Sequence, residues 1–302
     1  MQTDQQTAGE RQTVGLIGVG LMGAALAERL IGGGLDVFGY DVDPGRREAL
    51  ARCGARAAAS AGAVLSASPR ALLSLPDLDV VASVLRAEAA ALRAGQILVD
   101  TTTGAPPQAE RLGADLAGRG VAYLDATVSG SSAQVRRAEV TLLVGGPADA
   151  FARCRDLFAC FARAAHHLGP CGSGARMKLV SNLVLGLNRA ALAEGLAFAG
   201  ALGLDAARAL ALLRDSMAYS RVMDSKGEKM VRGDFEPQAR LTQHLKDVRL
   251  ILAAAETSGL RLPLSLAHRR LLEAAESAGY GALDNSAVIR AYVPSEGAGD
   301  DA

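Results

Sequence analysis

The stretch TVGLIGVGLMGAALAERLIGGGLDVFGYDVDP, Thr13 to Pro44, decides the fold of this chain. Val14 to Ile17 reads as a short buried strand. Gly18, Val19, Gly20, Leu21, Met22 and Gly23 read as a tight turn that opens a helix over Ala24 to Ile31. Gly32 to Gly34 stop that helix, and Leu35 to Tyr40 return as a second strand ending at Asp41. The sum is a βαβ unit with its glycines at dinucleotide-binding spacing. Gly18 makes the turn, Gly20 lets a pyrophosphate approach the backbone, and Gly23 allows the helix to pack close to the strand. The phosphates would meet the helix N-terminus, where unpaired N–H groups and the dipole favour anions. Glycines alone do not make a site, since the chain has 34 of them and a ligand-free turn has the same composition. The strand before, the helix after and the acid at the next strand end favour the dinucleotide. Asp41 is placed to accept bonds from the adenosine ribose hydroxyls and to repel a 2′-phosphate, so NAD is expected ahead of NADP. Arg46 and Arg47 follow closely and soften that preference if they are not simply the solvated face of the next helix.

Further along, the chain alternates helix-like and strand-like segments up to Val99, the beat of an α/β, doubly wound, Rossmann-like sheet. Leu75 and Pro76 follow one strand end and Asp100 to Thr103 another, and ligands of open α/β sheets bind beyond such ends. Thr101 to Thr103 are read equally well as cofactor contacts or as caps before Pro106 and Pro107. Strand Val121 to Leu124 runs into Asp125-Ala-Thr-Val-Ser129-Gly130-Ser131-Ser132, where N–H groups and hydroxyls gather as a possible carboxylate cradle or as an ordinary loop. Thr141 to Val144 is expected as an edge strand and Ala148 to Ala164 as helix.

Gly172 to about Leu204 follows with no proline and apolar residues on nearly every face, the pattern of a long buried helix of about 45 Å. Lys178, Asn182, Asn188, Arg189 and Glu194 interrupt it too often for a membrane span. Lys178 and Asn182, four residues apart, share a face. A lysine there is either an edge residue with its head in water or a working group. Beyond Leu204 only helical patterns persist, with Asp284 or Asn285 capping a last short helix.

The expected organisation is a nucleotide domain over 12–171, a linking helix over 172–204, an all-helical C-terminal domain over 205–293, and disordered tails at 1–11 and 294–302. Lys plus Arg and Asp plus Glu are 32 each, which removes the electrostatic footprint of a general nucleic-acid binder. Cys53, Cys154, Cys160 and Cys171 show no zinc spacing and are expected as buried free thiols in a reducing compartment. His166, His167, His244 and His268 have neither triad nor metal spacing and are expected at the surface. The polar start lacks an apolar leader, so a cytoplasmic location without a membrane partner is expected.

Four blocks in order resemble the β-hydroxyacid dehydrogenase family, which includes 3-hydroxyisobutyrate dehydrogenases and tartronate semialdehyde reductases. They are Gly15 to Gly23; Asp125 to Gly130 running on to Val144-Gly-Gly146; Gly172-Ser-Gly174 with Lys178 and Asn182; and Lys246-Asp247 followed by Gly259 and Pro263. The resemblance covers roughly residues 13 to 293. It implies an NAD(P) domain, a long linking helix, and hydride transfer between a small β-hydroxy acid and its semialdehyde or keto acid. It further implies that Lys178 is the acid and base at the substrate hydroxyl and that Asn182 orients the substrate. Ser129 and Gly130, with Ser131 beside them, would hold the substrate carboxylate. Thr103 and Lys246 match positions near the nicotinamide, and a homodimer or homotetramer is implied by analogy. Thr127, Ser131, Val135, Ala138, Ala175 and Ser181 depart from the family pattern, and they cluster around the substrate cradle. Two alternatives stand beside this reading: an imine reductase-like enzyme, in which such a lysine is generally absent, and a non-catalytic dinucleotide-binding relative.

Overall fold

The computed structural model describes residues 12–292, and the tails expected at either end lie outside them. Among the described residues eight strands form one sheet: β1 (Thr13–Ile17), β2 (Asp36–Tyr40), β3 (Arg56–Ala57), β4 (Arg70–Leu73), β5 (Ile97–Asp100), β6 (Ala122–Ser129), β7 (Val140–Gly145) and β8 (Ala162–His167). Their order is β3-β2-β1-β4-β5-β6-β7-β8. Neighbours run parallel throughout except β6 and β7, which are antiparallel, with Thr127 opposite Leu143. The first six strands thus follow the doubly wound order and place their carboxyl ends along one edge.

Helices α1 (Leu21–Gly32), α2 (Pro44–Arg52), α3 (Ala61–Ala67), α4 (Leu78–Ala87), α5 (Pro106–Ala117), α6 (Ser132–Arg136), α7 (Ala148–Ala152) and α8 (Arg155–Phe161) accompany the sheet. Two apolar clusters fill the layers between helices and strands. One gathers Leu26, Leu30, Val99, Leu157 and Phe161; the other gathers Val64, Leu65, Val81, Leu98 and Tyr123. Parallel strands covered on both faces are apolar along their whole length, which is why Ile97 to Val99 read as a continuous run.

Two expectations fail here. The strand at Thr141 to Val144 is internal, and β8 is the edge. Residues 162–164 belong to that edge strand rather than to a helix. The half-exposed run Ala-Arg-Ala-Ala-His-His carries no apolar alternation, so it lacks the pattern by which strands are recognised.

The chain divides into two compact units between Lys178 and Leu179, inside the long helix α9 (Ser173–Ala201). Without proline α9 runs unbroken, and Gly203 ends it at φ +76° with Leu204 N donating to Ala199 O at 2.9 Å. The second unit continues with α10 (Ala206–Arg214), α11 (Glu228–Arg232), α12 (Leu241–Thr257) and α13 (Pro263–Ala275). Its core joins Leu192, Leu196, Leu210, Leu245, Leu272 and Val288. The Lys226 Nζ lies 2.8 Å from both Asp284 carboxylate oxygens, and Asp284 also caps the closing 3-10 segment through Ser286 N.

α9 is not buried on every side, as its composition had implied. Val180, Val184 and Phe198 are more than half exposed, at 54%, 51% and 62%. By length and composition this helix would suffice to cross a membrane, yet its polar residues Lys178, Asn182 and Arg189 are buried within the fold.

Candidate active site

In the first unit, the glycine turn has the shape that a dinucleotide requires. Gly18 sits at φ +93°, and a Cβ there would lie 2.2 Å from Ser74 O. A Cβ on Gly23 would lie 2.0 Å from Gly18 O, so the helix and the turn touch backbone to backbone. Gly20 differs: its Cβ would meet only Arg46 Nη1, at 3.9 Å. The space before Gly20 is therefore open, and α1 starts there with no side-chain cap and no acid in its first turn. Its first N–H groups are left for a phosphate, which is the fit that NAD(P) requires.

Asp41 is buried at the end of β2, where Oδ2 accepts from Val19 N at 2.7 Å and Oδ1 from Asp43 N at 2.9 Å. The carboxylate thus ties the second strand to the glycine turn before any ligand arrives. Arg46 Nη1 lies 3.5 Å from Asp41 Oδ2, and Arg47 donates to Asp41 O at 2.7 Å. Arg46, about half exposed, also comes within 3.9 Å of a Cβ placed on Gly20, whereas Arg47 reaches only the backbone oxygens of Asp41 and Val42.

The other first-unit candidates line the same carboxyl edge. Leu75 follows β4 beside Gly18, and its N–H donates to Thr102 Oγ1 at 3.2 Å, with Pro76 next in the chain. Thr101 donates to Leu73 O at 2.8 Å. The capping reading of these threonines does not hold, because α5 begins after Ala105 with no side-chain cap. Their hydroxyls instead tie the ends of β4 and β5 together, and Thr103 lies partly buried beyond them.

β6 ends in Ser129 and Gly130, both partly buried. Ser131 is spent on a capping box: Gln134 N donates to its Oγ at 3.3 Å, and its own N–H donates to Gln134 Oε1 at 2.9 Å. Lys178, 8% exposed, donates from Nζ to Val128 O at 2.6 Å, so the ammonium lies at the end of β6 next to Ser129.

In the second unit, Asn182 is buried and its Nδ2 donates to Asp247 Oδ2 at 2.9 Å. Lys246 is partly buried on α12 beside Asp247. His244 and His268, expected at the surface, are 5% and 3% exposed, with ring centroids 5.1 Å apart. A Cβ on Gly186 would lie 2.6 Å from His244 Nε2, so the long helix has a glycine where the histidine pair packs. Burial, with the Arg189 cation nearby, pushes the His268 imidazole down to about 4. The free cysteines also differ from expectation, since Cys154 is buried but Cys53 is exposed and Cys160 and Cys171 are partly so.

Comparison with known proteins decides the relationship. The profile described as the NAD binding domain of 6-phosphogluconate dehydrogenase matches residues 13–169. A second, described as NAD-binding of NADP-dependent 3-hydroxyisobutyrate dehydrogenase, matches 172–292. The L-threonate dehydrogenase of Cupriavidus necator is 32% identical, over 93% of this chain and 96% of its own. The 2-hydroxy-3-oxopropionate reductase of Escherichia coli is 30% identical, over 92% and 96%. A crystal structure of 3-hydroxyisobutyrate dehydrogenase from Salmonella typhimurium superposes with a TM-score of 0.86 at 27% identity, over 92% of this chain and 99% of that one.

The chain belongs to the β-hydroxyacid dehydrogenase family.

It is an NAD(P)-dependent oxidoreductase of the hydroxyacid dehydrogenase type, with a Rossmann-like domain followed by a helical one. Within this dehydrogenase, sequence reasoning passed over two carboxylates. Asp247 holds the Asn182 amide, and Asp125 accepts from Gly172 N and Ala175 N at the start of α9. Both lie inside the family-like blocks, but nothing local marks a carboxylate whose partners are 65 and 47 residues away. Arg189, a buried cation on which Asp247 and Asp284 act, carried no signal beyond interrupting an apolar helix.

Proposed function

We propose that this dehydrogenase interconverts a small β-hydroxy acid and its semialdehyde or keto acid, with Lys178 as the acid and base at the hydroxyl. The observation carrying the proposal is the bond from Lys178 Nζ to Val128 O, which holds a buried amine at the carboxyl end of a sheet strand. Ligands of such sheets bind beyond that edge, where Gly18, Asp41, Leu75, Pro76 and Thr103 also lie. When bound, the nicotinamide would supply the hydride acceptor, or the donor in its reduced form.

The chain's own residues supply the rest. In oxidation the neutral Lys178 amine takes the hydroxyl proton as hydride leaves carbon; in reduction the ammonium returns it. A positioned acid or base of this kind contributes about 10²–10⁴ in rate. Ser129 and the Gly130 backbone hold the substrate carboxylate, and Asn182 orients the hydroxyl. Ser131, whose N–H and hydroxyl are engaged with Gln134, shapes the loop rather than binding the acid.

Gly18, Val19, Gly20, Leu21, Met22 and Gly23 hold the pyrophosphate, Asp41 the adenosine ribose, and Thr103 and Lys246 the nicotinamide end. Asp41 favours NAD over NADP. Substrates in this class fit the names of the relatives, which act on threonate and 2-hydroxy-3-oxopropionate. The exposed apolar stripe of α9 and a groove of about 630 Å³ lined by Ala191, Glu194, Gly195 and Phe198 support a homodimer or homotetramer built on the helical unit. A cytoplasmic location is part of the same proposal.

The test is steady-state turnover over a panel of C3 to C5 hydroxy acids and cyclic imines, each with NAD and NADP. Hydroxy acids are expected to turn over, and Lys178→Ala to lose about 10²–10⁴ in kcat while keeping NADH affinity. Turnover of imines alone, or Lys178→Ala at wild-type speed, would refute the reading.

A further inference from the structure

Strand β6 grips the first turns of α9 at three places. The Asp125 carboxylate accepts from Gly172 N through Oδ1 at 2.9 Å and from Ala175 N through Oδ2 at 2.8 Å. Thr127 Oγ1 lies 3.3 Å from both Leu143 O and Gly174 O, with its proton shared between them. Val128 O then receives Lys178 Nζ. The helix lies directly on the strands. A Cβ on Gly174 would be 2.3 Å from Asp125 O, and one on Gly145 would be 2.4 Å from Asp125 Oδ1.

Asp125 is only 3% exposed, so its carboxylate is held by these bonds rather than by water. Burial pushes its carboxyl up, and the two backbone N–H groups hold it down. A negative charge at a helix N-terminus is favoured by the dipole, and two accepting oxygens satisfy two N–H groups that the helix leaves unpaired. Asparagine would turn an N–H₂ toward one of those donors.

We propose that Asp125 is a positioning residue for Lys178. It fixes the depth and rotation of the first turn of α9 on β6, and thereby the place of Nζ at the strand end. The inference rests on the reading of Lys178 as acid and base. Both Asp125 carboxylate oxygens are engaged by the backbone at the start of the helix. Its lever is the helix: Lys178 follows Ala175 by less than one turn, so a loosened cap is felt directly at the amine. Misplacement by about 1 Å can cost about 10²-fold in rate.

The experiment is a double-mutant cycle of Asp125→Asn and Lys178→Ala in the full chain, reading kcat, KM, NADH dissociation constant and Tm. Asp125→Asn is expected to lower kcat by about 10- to 100-fold, with NADH affinity within about threefold of wild type. In the Lys178→Ala background the same substitution should change kcat by less than about twofold, because the group it positions is gone. A merely structural Asp125 would lower Tm and cost the same factor in both backgrounds, which overturns the proposal, as does unchanged kcat in Asp125→Asn. If Asp125→Asn fails to fold, Thr127→Val, which removes the bond to Gly174 O at nearly constant volume, reads the same clamp. A loss of threefold or more that vanishes without Lys178 supports the proposal, and no loss overturns it. Lys178→Ala at wild-type speed is a separate result: it removes the acid–base reading and this inference together.

Discussion

The Nδ2 of Asn182 donates to Oδ2 of Asp247 at 2.9 Å, and both side chains are buried. The bond fixes which way the amide faces, since its N–H₂ end goes to the carboxylate and its carbonyl oxygen is turned away as an acceptor. Asp247→Asn loses the charge of that acceptor while keeping its shape. A hydrogen bond to a charged group is worth about 1.5–3 kcal/mol, so kcat/KM is expected to fall by about 10- to 100-fold. Asp247→Ala should also lower Tm, because Arg189 loses one of the two carboxylates acting on it. Steady-state kinetics and a melting curve on each variant check this.

The glycine turn separates folding from binding. A Cβ at Gly20 meets nothing closer than 3.9 Å, so Gly20→Ala should melt near wild type yet bind NADH at least about tenfold more weakly, the methyl standing where the pyrophosphate approaches. Gly23→Ala meets Gly18 O at 2.0 Å and should cost about 1–3 kcal/mol or more in stability. Calorimetry and fluorescence titration distinguish the two outcomes.

On the proposed reading, coenzyme preference turns on Asp41 and Arg46. Asp41→Ala removes the charge facing a 2′-phosphate and frees the guanidinium now 3.5 Å from it. The ratio of kcat/KM for NADP over NAD should rise by at least about tenfold, at a stability cost of about 1–3 kcal/mol for the orphaned Val19 N–H. In Asp41→Ala combined with Arg46→Ala, most of that NADP gain should disappear.

Ala138 holds φ +53°, the one described non-glycine residue at positive φ. The left-handed region costs a Cβ-bearing residue about 1–2 kcal/mol, and glycine nothing. Ala138→Gly is expected to raise stability by about 1 kcal/mol, read as a shift in denaturation midpoint.

Acid stability has two opposed contributors. His268, pushed from 6.5 down to about 4, stays neutral in the fold while the unfolded chain takes up a proton. Its contribution is complete above pH 6.5 and is lost as pH falls from there toward 4. Asp100, donated to by Tyr123 at 2.6 Å and pushed by burial from 3.8 up to about 6, works the other way, and its contribution falls as pH rises across that range. His268→Asn should flatten the first slope and Asp100→Asn the second, as read from urea midpoints between pH 4 and 7.

Much of the nucleotide half was legible in sequence because its signals are local. Strand, glycine turn, helix and terminal acid succeed one another within Thr13 to Asp41, and each sets its own backbone period. The histidine pair was not legible. His244 and His268 sit on separate helices whose exposed and buried sides are set by what packs against them. The edge strand β8 escaped for a related reason, since a half-exposed strand with no alternating pattern owes its existence to its partner β7.

By itself the sequence determined the βαβ start, the unbroken long helix and the types of side chain available for the chemistry. These follow from φ/ψ preferences, periodicity and the absence of proline, all properties of neighbours along the chain. Only the tertiary structure decided which carboxylate holds which group: Asp41 the glycine turn, Asp125 the start of α9, Asp247 the Asn182 amide. A buried carboxylate must find donors wherever the folded backbone brings them, and for Asp125 and Asp247 those donors lie 47 to 65 residues away.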